Sequence, residues 1–126
     1  MAPAGATAPH GVIVGRDGAA SVTEGGRSAI ARVDPLTRAV KLFSLPTRRD
    51  ANLNTATFDR RGMLWFTGQN GVYGWLDPKS GKISVFDAPR GPGPYGIATT
   101  PDGQVPAAIS VRSIPRPGPL LFWNRP

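Results

Sequence analysis

"LNTATFDRRGMLWFTGQNGVYGWLDPKSGKISVFDAP", residues 53–89, reads as four short strands separated by turns. Thr55 to Phe58 form the first, and "DRRG" turns the chain. "MLWFT" (63–67) is the second, broken by "QNG". "VYGWLD" (72–77) is the third, followed by "PKSG", a turn in which Gly81 can take a positive φ. "KISVFD" (82–87) is the fourth, with Val85 alternating with more polar neighbours as on a half-buried strand. The stretch "GQNG" (68–71) has glycines but neither the lysine nor the helix of a phosphate loop, so it is read as a hairpin connection.

The same pattern occurs upstream. "PHGVIVGRDGAASVTEGGRSAIARVDPLTRAVKLFSLP" (9–46) places Gly18 against Gly62, Thr23 against Thr67, Asp34–Pro35 against Asp77–Pro78 and Pro46 against Pro89. A third copy opens with "PYGIATTPDGQV" (94–105), where Gly103 takes the place of Gly18. Four antiparallel strands in each repeat of about 40 residues is the pattern of a propeller blade. The expected fold is all-β: a partial β-propeller with about two full four-stranded blades plus the start of a third. A solenoid of stacked sheets is the next architecture, whereas an immunoglobulin-like sandwich does not repeat at this period. Blades bury their faces only against neighbours, so Trp65, Phe66, Val85 and Phe86 are expected to pack between blades. Asp17, Asp77 and Asp102 are read as turn formers.

The expected boundaries are a disordered start at 1–8, blade repeats at 9–50 and 51–93, a third opening at 94–105, and an irregular Pro/Arg-rich tail at 106–126. The repeat fails after "DGQV", where "PAAISVRSIPRPGPLLFWNRP" puts prolines in place of an aromatic strand. A one-base frame-shift would account for the break: permitted GC-rich codons for Ala107 to Gly118 read one base earlier can give "GHIGPIDPATG", which resembles the missing strand and turn.

Composition narrows function. Sixteen glycines and 14 prolines oppose long helices, while 40% apolar residues oppose disorder. The chain has no cysteine, which excludes disulfides and thiolate metal sites. It shows no signal peptide and no apolar run of about 20 residues, so a cytoplasmic protein without membrane contact is expected. The net charge of +7 comes from scattered arginines and lysines interleaved with acids, which does not make the basic stripe of a nucleic-acid binder. No spacing matches a calcium loop.

"P-[HY]-G-[VI]", "DG", "LWFT" and "DPKSG" at this spacing resemble the streptogramin B lyases (the virginiamycin B lyase family) over roughly residues 9–105. The resemblance implies a ring of about six or seven blades with a polar site at one end of the central channel. It also implies a carbon–oxygen lyase of antibiotic resistance, which opens a cyclic depsipeptide by elimination at its ester bond, with magnesium assisting. Such chemistry needs a base beside a carbonyl and an acid or metal for the leaving group. By this resemblance His10 is the catalytic candidate, and Asn54 and Tyr95 are its channel-lining or substrate-lining equivalents in the next two copies. Ala8 stands two residues before His10, where the lyases carry a glutamate. The chain has one histidine, and its one glutamate, Glu24, follows the second strand. The implied ligand is a cyclic peptide or another small molecule. A non-catalytic propeller segment that binds a ligand or protein is the alternative, and open blades are expected to self-associate.

Overall fold

In the computed structural model the described residues are 8–48, 50–89, 91, 94–100, 107–110 and 121–123, with 94–95 and everything after 100 described in backbone alone. Residues 1–7 and the turn at Asp102–Gly103 lie outside them.

Two antiparallel four-stranded meanders follow each other. The first comprises β1 (Pro9–Val14), β2 (Ala20–Glu24), β3 (Ala29–Val33) and β4 (Val40–Ser44). The second comprises β5 (Leu53–Phe58), β6 (Leu64–Gly68), β7 (Val72–Leu76) and β8 (Ile83–Asp87). Their registers coincide: Pro9 faces Glu24 as Leu53 faces Gly68, and Val12 faces Val22 as Ala56 faces Phe66. Both first pairs carry a register irregularity at the same place. In the outer strands Ile30 faces Phe43 as Tyr73 faces Phe86.

Turn chemistry explains why the chain reverses where it does. Gly18, Gly62 and Gly81 take φ values of 83°, 85° and 79°. Asp34 Oδ1 accepts from the Leu36 and Thr37 amides, and Asp77 does the same for Lys79 while Oδ2 accepts from the Ser80 hydroxyl. These bonds stabilise the ionised form, chiefly those from the Thr37 and Lys79 amides, and hold both carboxyls below their ordinary range. Between the blades, Arg48 donates to Asp50 (3.1 Å), Asp87 (2.8 Å) and the Asn70 carbonyl (2.9 Å). Its guanidinium is thereby held above its ordinary pKa, Asp50 contributing most.

Strand alternation gives each blade two working faces. Phe66, Leu64, Leu76 and Val72 of the second blade pack on Ile30, Phe43 and Leu45 of the first, with Ile13, Phe58 and Val85 at the margin. The opposite face of the second blade carries Trp65, Tyr73 and Trp75, which pack with Ile97 of β9 (Pro94–Ala98). Trp65 and Phe66 are thus core residues of two different interfaces, and Val85 is half-buried. Phe86 departs from expectation. It is 36% exposed and stacks on Tyr73 at 5.3 Å, although the equivalent Phe43 is only 6% exposed. A complete four-stranded blade covers Phe43, whereas the third sheet that follows Phe86 contributes Ile97 of β9 to the facing cluster.

That third sheet has the order β11-β10-β9, with β10 (Ala107–Ser110) antiparallel to β9 and parallel to β11 (Leu121–Trp123). Two short strands therefore occur within the stretch read as irregular from sequence. Ala107–Ser110 contains no proline and includes the β-branched Ile109, which permits the pairing. The parallel β10–β11 pair is not the meander of the first two sheets. Among the described residues no helix is long and apolar enough to cross a membrane.

Candidate functional site

The starts of β1 and β5 lie side by side, joined through Thr23 near the end of β2. Thr23 Oγ1 accepts from the Gly11 amide at 2.8 Å and donates to the Asn54 carbonyl at 2.6 Å. A Cβ on Gly11 would lie 2.8 Å from that carbonyl oxygen, so the glycine after His10 is what allows the two strands to approach. The second blade repeats the threonine, with Thr67 Oγ1 and Thr55 Oγ1 3.3 Å apart.

His10 is exposed on β1. Its neighbour Pro9 faces Glu24 across the β1–β2 ladder, and the Ala8 carbonyl accepts from the Gly25 amide at 3.1 Å. Glu24 therefore ends β2 beside the residue that stands where a carboxylate is expected from the resemblance. Sequence order concealed this, because the acid follows the histidine by 14 positions in the chain and by one ladder step in space. Glu24 is fully buried, as is Asn54, the second-blade counterpart of His10. Among the described residues neither amide atom of Asn54 has a hydrogen-bond partner, an arrangement that costs about 1–3 kcal/mol. Access thus differs between the equivalent positions: the imidazole is open and the amide is covered. Tyr95 lies on β9 and its side chain is outside the described residues.

The resemblance also implies magnesium, which takes oxygen donors in an octahedron with carboxylates among them. Among the described residues no three histidine, cysteine, aspartate or glutamate side chains gather as a metal-binding group. One buried glutamate beside an exposed histidine does not fit that ion, and no step is derived through it.

No family model matches the chain, and no curated protein matches it. Solved structures do. Selenomethionine-substituted virginiamycin B lyase from Staphylococcus aureus is 29% identical with a TM-score of 0.67, over 75% of this chain and 32% of that one. A catalytically inactive virginiamycin B lyase from the same organism, crystallised with quinupristin, is 26% identical with a TM-score of 0.74, over 83% and 35%. A streptogramin B lyase structure at 24% identity and a TM-score of 0.68 has the same fold, over 75% and 32%. The chain spans about a third of the length of the lyases it matches. Repeat, register and structural likeness agree: the chain is similar to the virginiamycin B lyases and has two successive blades of their β-propeller fold.

Proposed function

We propose that the chain supplies part of the inner wall of a streptogramin-lyase-like propeller, where it holds a cyclic peptide or a small molecule of that size without opening it. The observation that carries this reading is the pairing at the start of β1: an exposed His10 with alanine two residues before it. An elimination needs a base held by a partner and an acid or metal at the leaving group. Ala8 stands where the lyases carry a glutamate and has no carboxylate, and Glu24 is fully covered. An open imidazole beside close-packed backbone remains suited to contacting a ligand. The likeness to a lyase crystallised with quinupristin supports a ligand of that class.

The test is incubation with quinupristin and added magnesium, followed by mass spectrometry and by the His10 imidazole signals in NMR. Intact compound and a saturable shift of those signals are expected, with binding weakened in His10→Ala. Ring-opened product that disappears in His10→Ala would overturn the non-catalytic assignment, and no saturable shift would overturn ligand binding.

A second reading, a propeller segment that docks protein, is favoured by Val12 and Val14, which are 69% and 64% exposed on β1.

A further inference from the structure

At the opposite end of the strands, the turns of both blades surround a cavity of about 850 Å³. That volume is in the range of small-molecule sites, about 300–1,000 Å³. Ile13, Phe58 and Met63 give it a half-buried apolar floor. Its acids are all committed within the fold. Asp17 accepts from the Ala19 amide and pairs with Arg32. Asp59, 8% exposed, accepts from the Trp65 indole at 2.9 Å and from the Arg61 and Met63 amides. Asp77 holds its own turn through Lys79 and Ser80.

The cations are not committed in the same way. Among the described residues Arg16, Arg60 and Lys79 have no ion-pair partner within 4 Å, and all three are exposed at the cavity. Arg61 reaches Asp59 only at 3.9 Å, with its side chain 78% exposed. Two blades thus aim unspent positive charge at one apolar-floored hollow, while the neighbouring carboxylates are used to shape turns. Long cationic side chains with a forked donor set match oxyanions.

We propose that this cavity binds a small molecule carrying two or more oxyanion groups, phosphate or carboxylate, through Arg16, Arg60 and Lys79, with its apolar part against Ile13, Phe58 and Met63. The site is separate from the His10 end and does not depend on the function proposed there.

Calorimetric titration at near-physiological salt with inorganic pyrophosphate, and separately with citrate, tests it and distinguishes the two oxyanions. Saturable one-to-one binding of at least one probe is expected. Arg16→Ala combined with Arg60→Ala should weaken it by about tenfold or more. Arg27→Ala, on an exposed cation in the hairpin at the far end, should leave it unchanged. Both variants alter exposed side chains, and circular dichroism verifies that they fold. Absence of saturable binding for both probes, or equal loss in Arg27→Ala, would overturn the proposal. So would tighter binding of a random-sequence oligonucleotide that the double variant does not weaken.

Discussion

Gly74 is the residue most sharply required by its surroundings. A Cβ there would lie 2.2 Å from the Ser84 carbonyl oxygen and 2.7 Å from Phe66 Cζ. The ladder pairs Phe66 with Gly74, whereas the first blade pairs Val22 with Ala31 at the same place. Each blade solves the same volume in its own way, large with small or medium with medium. Gly74→Ala should therefore destabilise by about 1–3 kcal/mol in urea titration, because backbone and ring must both move. Adding Phe66→Val should cost less than the sum of the two single changes by about 1 kcal/mol, since the double variant recreates the pair of the first blade. Phe66 was legible as core from its place in an apolar strand. Phe86 was not, because its exposure depends on how much sheet follows it, which local pattern does not encode. Glu24 was named in the sequence, but its nearness to Ala8 was hidden for a related reason: ladder neighbours are remote in sequence.

Turns carry the predictions at the scale of elements. The third turn of each blade ends at a residue with positive φ, Gly81 in the second and Arg38 in the first, at 79° and 64°. A non-glycine residue is strained in that conformation, and the Arg38 side chain is exposed. Arg38→Gly should raise stability by roughly 0.5–1 kcal/mol in thermal or urea unfolding. Acid should act on the same turns. Asp34 and Asp77 lie below the ordinary 3.8 in the fold, so the stability they add is present above that value and is lost as pH falls through their folded pKa values. Asp17, held down by the Ala19 amide and Arg32, and Asp50, held down by Arg48, act in the same direction. The melting temperature should fall below about pH 4, and Asp77→Asn should flatten that limb while keeping an acceptor for Lys79. These turns were readable in sequence because aspartate, proline and glycine state their geometry locally. The strands β10 and β11 were not, since proline density there hides four- and three-residue pairings.

At the scale of the whole molecule, one sheet face has no neighbouring sheet among the described residues. Val12, Val14, Val22 and Leu42 occupy the positions of Ala56, Phe58, Phe66 and Val85, which in the second blade pack against the first. Val12, Val14 and Leu42 are instead 69%, 64% and 36% exposed. Apolar positions that a repeat buries in one copy and bares in another should drive association. Light scattering should show mass rising with concentration, and Val12→Lys should suppress that rise. The repeat itself was legible because several turn and strand signals recur in register. The order of the third sheet was not, because nothing periodic survives there.

The two full blades also differ in length by a single residue, and its position matters. Leu53 follows Pro9 by 44 positions, but Tyr73 follows Ile30 by 43, so the residue is lost between the second and third strands. Gly25–Ser28 thus becomes Gln69–Gly71. The same deletion inside a strand would invert every side chain beyond it. Placed in this hairpin, it leaves both stacked faces in phase and shortens only the rim at the His10 and Asn54 end. Lineages of such a ring are therefore free to trim or extend one mouth of the channel, blade by blade, while the packing that closes the ring keeps its register.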